Sequence, residues 1–600
     1  MLKTFLNENQ FILPSYQHYG GFGGFQDYGI LGFQIKNKLI DVWRNNFVRN
    51  NIHEVEIPAI MPHAILKASG HVDRFTDYVV YDRDGICHRA DHLAKKWFRE
   101  NGMDDASNMV DSWDQSMLQE QMNKYKMLDC ESIIVQKKNL MIEVSSNTMQ
   151  LGMETDFLRP ELAQGIFVNF GNYLTYLQSN DSQFNSFGIA QIGKSYRKEI
   201  SPQSFVRLRE FTQAEIEYFV DPNKKTHPDY EIYKNIILPL LTDEMQEKGT
   251  EQPVKVGAND AVNQKLISHQ LMAYFLAKIY LFAKQIGLKD DKIRFRQHQK
   301  NEMAHYASQC WDLECLVGGS WLECVGCADR GCYDLTAHSA RNPTQPLCAR
   351  RYLDVPVKKV LYSIKPNIPK WPKDLMKYMD QIKNYFTKLD NGELFKFNED
   401  LFANNGMQLL IKNSAITFTP LSTEEQVLNN LNTNCQALWF CTPDMFTVSH
   451  KNTTITYETF IPHVVEPSFG IDRLTYAVLE QNIWPRTGDD RRLVLSLADD
   501  LTIYDVAVFP LHKKEKMIKL ADQIRSAVVM GGFKCYTDDS GVAIGKRYVR
   551  CDEIGVRNVI TVDPGTLETG MVTIRDRDTM EQIIVHMDLV VDKLQSQQTF

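Results

Sequence analysis

The 600-residue sequence contains no uninterrupted apolar run near the roughly 20 residues that a membrane-spanning helix needs, so no membrane partner is expected. Its first residues, MLKTFLNENQFILP, hold no long apolar core and few basic side chains. That argues against a secretory or organelle leader and for a cytoplasmic location. A basic balance is also missing: 67 Lys and Arg face 75 Asp and Glu, giving a net charge of −8 and a pI of about 6.0. Any contact with nucleic acid must then use local Lys/Arg patches instead of a global field. The 12 cysteines are thinly scattered without small-domain disulfide spacing, and they read as reduced intracellular thiols. What is present, 43% hydrophobic and 24% charged residues, is the ordinary composition of a folded chain long enough for about three or four domains.

The most informative stretch is 191–221, QIGKSYRKEISPQSFVRLREFTQAEIEYFVD. It predicts two strands joined by a polar loop that holds Ser201, Pro202 and Ser204. In the second strand, alternation puts Arg209, Phe211, Gln213, Glu215 and Glu217 on one face and Thr212, Ala214, Ile216, Tyr218 and Val220 on the other. The same count in the first strand puts Arg197 and Glu199 together, with Lys198 pointing away. One reading is a salt-bridged outer face of an antiparallel sheet. The other is a platform for adenine and phosphate. Guanidinium binds phosphate oxygens bidentately, which suits Arg197 to an α-phosphate. Phe211 can stack on a purine, Glu199 can accept from its exocyclic amine, and Glu215 stays free for an ammonium group.

This stretch resembles motif 2 of the class II aminoacyl-tRNA synthetases. Its wording, YRKEISP…RLREFTQAEIEYFVDP, is similar to that of the glycyl-tRNA synthetases of the eukaryotic and archaeal dimeric type. Further blocks follow in that family's order. Residues 16–49 carry a Gly-rich turn and then Leu31, Ile35, Leu39, Val42, Trp43 and Phe47 at helical spacing, ahead of a Pro-broken strand at 54–62. Together they resemble motif 1, which implies a homodimer. KASGHVDRFTDYVV (67–80) and CHRADHL (87–93) match as well, and their His71, His88 and His92 lack metal-ligand spacing. FLRPELAQGIFVNF (157–170) sets Glu161 after Pro160 at the start of a helix-like run, where the helix dipole also favours an acid. The family has a small hydroxyl residue where Leu162 stands.

Residues 222–290 read as helical and without chemistry, and RFRQHQKNEMAHYASQCWDLEC (294–315) returns to the family pattern. In WLECVGCADRGCYDL (321–335), alternation sets Cys324 and Cys327 on opposite faces, so zinc is not expected, and it groups Glu323 with Trp321 and Val325. Asp329 and Arg330 read as either structural or near the site. FIPHVVEPSFGIDRLTYAVLEQ (460–481) resembles motif 3, with a strand ending near Glu466, a tight Ser-Phe-Gly turn, and Arg473 one turn into a helix. The wider class has two glycines in this turn, whereas here Ser468 stands at the first and Gly470 at the second. A serine that partly fills an amino-acid site leaves room for a hydrogen side chain and little more. From about residue 500, strand and helix patterns alternate through four strands, as in an α/β domain. Its basic cluster, Lys546, Arg547 and Arg550, is either a solvated face or part of an anticodon-binding surface.

The resemblance implies a class II catalytic domain, an antiparallel sheet flanked by helices, with insertions and a C-terminal α/β anticodon-binding domain. The core takes 1–93, followed by an insertion at 94–137 that is expected to touch tRNA. Core resumes over 138–345 with a helical insertion near 222–290, a second insertion covers 346–445, core returns over 446–490, and the anticodon-binding domain covers 500–600. The implied reaction is ligation of glycine to tRNA(Gly) with ATP and Mg²⁺. ATP would be held by Arg197, Lys198, Glu199, Arg207, Leu208, Phe211, Glu323, Cys324 and Arg473, with Arg197 and Arg473 catalytic and Mg²⁺ bound through Glu323. Glycine would be held by Glu161, Glu215, Glu466, Pro467 and Ser468. The family has Asn in place of Lys198. Two rivals remain: a synthetase-like protein that binds RNA or a partner without charging, and a class II enzyme for another small amino acid.

Overall fold

Period-two runs of apolar residues draw much of the chain into one nine-stranded sheet. In chain order the strands are β1 Ile52–Glu54, β2 Phe187–Tyr196, β3 Glu210–Val220, β4 Ile237–Leu241, β5 Val254–Gly257, β6 Ile293–Gln297, β7 Gln309–Val317, β8 Ser320–Gly331 and β9 His463–Gly470. They lie side by side as β5-β4-β6-β7-β8-β9-β3-β2-β1. The sheet is antiparallel except at two junctions, β1 with β2 and β4 with β6, which are parallel. This computed structural model describes residues 2–49, 51–130, 132–144, 155–178, 183–300, 302–303, 307–412, 415–420, 437–538 and 540–597.

Five helices matter to the site: α1 Ile30–Phe47, α2 Ala163–Val168, α3 Gln270–Gln285, α4 Tyr333–Arg341 and α5 Ile471–Asn482. In α1 the spacing of Ile35, Leu39, Val42, Trp43 and Phe47 makes one buried stripe, as the sequence predicts. Phe469 of β9 sits where α1 and α3 meet, 5.7 Å from the Trp43 ring, 4.8 Å from Phe47 and 5.7 Å from Phe282. Such aromatic pairs add about 0.5–1.5 kcal/mol each beyond burial. Gly32 lets α1 approach so closely that a Cβ there would fall 1.8 Å from the Phe11 carbonyl oxygen. Lys36 faces inward from the same helix to bond Asp472 Oδ1 and Thr212 Oγ1, each at 2.7 Å. Asp472 also accepts from Tyr28 Oη at 2.7 Å and from the Thr212 amide at 2.6 Å, so the start of α5 is tied to β3.

Several boundaries differ from expectation. The strand predicted over 54–62 is only Ile52–Glu54 and Ile60–Met61, because proline cannot donate to a ladder. Residues 222–290 are not a helical insertion: β4 and β5 extend the central sheet, and Pro239 within β4 masks a short apolar strand. The insertion placed at 94–137 starts earlier. Strands Thr76–Tyr81, Cys87–Arg89 and Gln136–Asn139 form a sheet, and helices Ala90–Glu100 and Gln115–Lys124 share with it a small core that includes Val80, Phe98, Leu118 and Met122. The expected break at 93 therefore falls inside a helix.

The described chain forms two units, Met1–Ala349 with Ile461–Phe600, and Arg350–Phe460. In the second, strands Ala349–Pro366 and Phe446–Phe460 pair as a ribbon, and Leu375, Ile382, Phe386, Phe397 and Phe446 build its core. It ends at 460 instead of the expected 445, because the polar return strand belongs to the ribbon and not to the strand that follows it.

The C-terminal sheet has five strands, not four: β10 Val506–Pro510, β11 Cys535–Tyr536, β12 Asn558–Val562, β13 Met571–Asp576 and β14 Gln582–His586. Their order is β11-β10-β12-β13-β14. Helices α6 Glu515–Met530 and α7 Ile544–Glu553 complete the alternation. The basic cluster on α7 divides. Arg547 is buried, donating to the Pro510 carbonyl at 2.8 Å, and Arg550 pairs with Asp538 at 2.8 Å, while Lys546 is exposed.

Candidate active site

The residues that carry charge along β2, β3, β8 and β9 collect on one sheet face in two adjoining compartments. The first is an open cleft lined by Arg197, Glu199, Phe205, Arg207, Leu208, Phe211, Glu323, Cys324, Ser468 and Arg473, together with Gln213 and the Thr212–Asp472 contact. It encloses about 670 Å³, including solvent at its mouth.

Its walls are held mostly by backbone. β2 ends at Tyr196, so Arg197 and Glu199 belong to the following loop and not to the strand, yet both reach the cleft. The Arg197 guanidinium stands 5.3 Å from the Phe211 ring centre and donates to the Pro160 carbonyl. Phe205 closes the loop by stacking on Tyr476, with ring centres 4.8 Å apart. Arg473 donates to the Val206 carbonyl at 2.9 Å and to the Glu323 carbonyl at 2.8 Å, and its guanidinium lies 3.5 Å from the Glu323 carboxylate. Confinement would raise the Glu323 carboxyl, but Arg473 first and Arg197 next outweigh it and hold it below the usual range. A register shift at Leu313/Glu314 separates Glu323 from Val325, which goes into the apolar core; the predicted grouping of the two does not occur. Cys324 borders the cleft, and Cys327 lies in the core with its Sγ 3.5 Å from Met272 Sδ.

The second compartment, the acid chamber, is a buried cluster of carboxylates packed beside the cleft. The predicted charged face of β3 is largely buried: Gln213 is 8% exposed, Glu215 1% and Glu217 0%. Glu215 is fixed at both oxygens, accepting from Ser468 Oγ at 2.8 Å and from the Leu162 amide at 2.7 Å. Leu162, out of family pattern as a side chain, thus serves through its backbone. Glu161, one residue earlier, accepts from Gln164 at 3.0 Å and meets His71 Nε2 at 3.3 Å. Burial would raise Glu161, but His71 and then Arg330 hold it well below the ordinary carboxylate range. Arg330 is the main counterion. It donates to Glu466 at 2.7 Å and doubly to Asp334 at 2.8 and 3.0 Å, and it lies 3.7 Å from Glu161. Burial, reinforced by the neighbouring Glu161, raises Glu215. Behind the chamber Arg159 crosses Gly193 so closely that a Cβ there would lie 2.2 Å from its Nη2.

Two predicted ligands fall elsewhere. Lys198 is exposed and does not line the cleft, because the loop turns it outward while its amide bonds the Leu140 carbonyl. Pro467 alternates away from Glu466 and Ser468, since β9 runs unbroken from His463 to Gly470. The turn expected after Glu466 is therefore extended strand. Sequence reasoning missed Arg330 as the counterion, His71 as the neighbour of Glu161, and Glu217 as a chamber wall. Asp329, beside Arg330, faces the other way to Lys225 at 2.6 Å and His269 at 3.1 Å, a structural role.

Comparison with known proteins agrees with this architecture. Residues 505–597 match the family model described as an anticodon binding domain. A crystal structure of prolyl-tRNA synthetase from Cryptosporidium parvum, complexed with L-proline and AMP, is similar at a TM-score of 0.50 and 10% identity, over 99% of this chain and 74% of that one. The fold is that of a class II aminoacyl-tRNA synthetase. Glycine–tRNA ligase of Methanocaldococcus jannaschii is 38% identical over 97% of this chain and 96% of its own. Glycine–tRNA ligase 2 of Saccharomyces cerevisiae is 33% identical over 99% and 95%. The chain belongs to the glycine–tRNA ligase family, a family of aminoacyl-tRNA ligases.

Proposed function

We propose that this site joins glycine to ATP as glycyl-adenylate and then passes the glycyl group to the 3′ end of tRNA(Gly). One observation carries the reading: Ser468 and the Leu162 amide fix the Glu215 carboxylate at the mouth of a buried acidic chamber that adjoins an arginine-lined cleft. The chamber suits a small ammonium group, and the cleft suits a nucleoside triphosphate.

In the first step a glycine carboxylate oxygen attacks the α-phosphorus while the bond to the bridging oxygen breaks, releasing pyrophosphate. In the second, the 3′ hydroxyl of the terminal adenosine attacks the glycyl carbonyl, AMP leaves, and the hydroxyl proton passes to solvent. No protein nucleophile is required; orientation and charge neutralisation supply the rate. Arg197 and Arg473 face the phosphates. Phe211, Glu199, Arg207 and Leu208 present the purine slot. Glu161, Glu215 and Glu466 take the ammonium, and the Ser468 side chain limits the space at the α-carbon. The Glu323 carboxylate, ionised and open to the cleft, is a hard oxygen donor of the kind Mg²⁺ takes. When bound, Mg²⁺ offsets phosphate charge.

The C-terminal α/β domain is the proposed tRNA anticodon contact, with Lys546 and Arg550 as exposed cations on α7. The α1–β1 pair, resembling motif 1, supports a homodimer, which sedimentation velocity tests. Among the described residues no helix is long and apolar enough to cross a membrane, and a cytoplasmic location is the proposed one. Amino-acid-dependent ATP–pyrophosphate exchange with glycine, alanine, serine and proline tests the whole reading. Exchange with glycine alone is expected. Exchange with another amino acid instead would overturn the assignment of Ser468, and no exchange with any would favour a non-charging protein.

A further inference from the structure

The chamber contains one acid that the proposed chemistry does not use. Glu215 pairs with Ser468 and Tyr218 with Val465 across β3 and β9, and the same count puts Glu217 opposite Glu466. Glu215, Glu217 and Glu466 each bring a carboxylate oxygen within 4.8 Å of the others. Glu466 has Arg330, and Glu215 has Ser468 and the Leu162 amide. Glu217 is 0% exposed, and neither of its oxygens has a hydrogen-bond partner among the described residues. Two ionised carboxylates directly opposed in a buried sheet face repel each other, and an ionised group without a partner bears its full desolvation penalty. This arrangement is stable only if the pair carries a proton.

The charged and titratable groups around the pair are Glu215 on β3, Arg330 on β8, Asp334 on α4, Glu161 ahead of α2 with its neighbour His71, and Arg159, which acts on Glu215. Acids outnumber cations here. Burial, and next the facing Glu466, holds Glu217 well above the ordinary carboxylate range. Burial lifts Glu466 to about 8, with Arg330 opposing and Glu215 and Glu161 adding to the rise.

We propose that Glu217 and Glu466 share one proton before glycine binds, and that the glycine ammonium, entering beside Glu466, displaces it. This rests on the glycine-binding reading above. The exchange balances: the ammonium brings one positive charge into the chamber, the proton departs to solvent, and both carboxyls are ionised in the complex. Glu217 is a positioning residue, acting on the substrate through Glu466. It makes the chamber demand a cation of its ligand while letting the sheet fold without one.

The sign follows from linkage. Binding that releases a proton tightens as pH rises, up to the pH at which the pair loses the proton unaided, which burial and the facing acids set above the ordinary carboxylate range. Apparent glycine affinity should rise by up to about tenfold per pH unit below that point, within the range where glycine's own amine stays charged.

The test is titration calorimetry of glycine into the full chain at neutral pH, in phosphate and in Tris, whose protonation enthalpies differ. The wild type should release a large fraction of one proton. Glu217→Gln keeps the volume but cannot share the proton. It should release none, and its glycine affinity should be level across pH. Equal release by Glu217→Gln and wild type overturns the proposal. So does absence of release by the wild type, a measurement that stands even if the variant does not fold. Glycine-dependent pyrophosphate exchange on the same wild-type sample separates the two readings. Exchange without proton release sinks this inference alone, and loss of exchange sinks the glycine-activation reading.

Discussion

The cleft and the chamber share a sheet face, but they are held in opposite ways. In the cleft, Arg197, Glu199, Arg207 and Arg473 lie on a loop or near a helix start and are half-buried, and two of the arginines, Arg197 and Arg473, are anchored by donating to backbone carbonyls. In the chamber, Glu215, Glu217 and Glu466 sit inside strands, are almost fully buried, and depend on one guanidinium and a few fixed donors. The difference is one of dielectric. An exposed ion pair is worth about 0–1 kcal/mol, whereas a buried charge deprived of its partner costs several. Cleft residues can therefore change with loss of rate alone, while chamber residues couple substrate recognition to folding.

The largest expected effect comes from removing the chamber's counterion. Arg330→Met leaves Glu466 and Asp334 buried without it and should lower stability by about 3–5 kcal/mol, read as a fall in the urea midpoint, with glycine-dependent exchange abolished. Adding Glu466→Gln should restore part of the stability, because the double variant removes the orphaned charge. An unchanged midpoint in Arg330→Met would mean that water reaches the chamber and that the contrast with the cleft is false.

Arg473→Ala is the matching test of the cleft. Exchange should fall about 10²–10³-fold, the loss typical of one preorganised charge at a transition state. The urea midpoint should move by less than about 1 kcal/mol in stability, because the side chain is about one-third exposed at 31%. A stability loss as large as that of Arg330→Met would erase the distinction between the compartments.

The same contrast explains how much could be read from the sequence. The lining of the cleft was legible because Arg197, Phe211 and Arg473 sit in ordered runs, and the structure brings all three to one pocket. The central sheet was legible from alternation in β2, β3 and the start of β9. Arg330 was not assigned a role because two of its carboxylate partners, Glu161 and Glu466, lie far along the chain and only the tertiary fold brings them to it. β4 was hidden by Pro239, and Val325 was grouped with Glu323 because a one-residue bulge between them reverses alternation without any mark in composition. Arg547 read as surface charge, yet its guanidinium lies over Phe509, 5.1 Å from the ring centre, a contact no local pattern encodes.

A smaller effect is expected where the two compartments meet. Ser468 faces both: its hydroxyl fixes Glu215, and its side chain lines the cleft. Ser468→Gly removes a donor from a buried carboxylate and opens space beside the α-carbon. Discrimination between glycine and alanine in exchange should drop by about 10–100-fold, the range that one methyl group's exclusion represents. Ser468→Thr should do the reverse, raising the glycine KM without admitting alanine. Unchanged discrimination in the glycine variant would place the steric gate elsewhere and leave Ser468 only its bond to Glu215.

The smallest effect belongs to the outermost residue of the motif. Lys198 stands where the family has Asn, yet its side chain points to solvent and its one described bond is from its backbone amide to the Leu140 carbonyl at 2.6 Å. Asn keeps that amide, removes a charge that does not border the cleft, and tolerates loop backbone well. Lys198→Asn should therefore leave glycine-dependent exchange within about twofold and stability within about 0.5 kcal/mol, as surface substitutions usually do. A gain of tenfold or more in kcat/KM for ATP would show that the lysine acts on the cleft after all, through long-range charge that the open mouth fails to screen. That outcome would narrow the contrast with the chamber, because the cleft too would then depend on a charge beyond its walls.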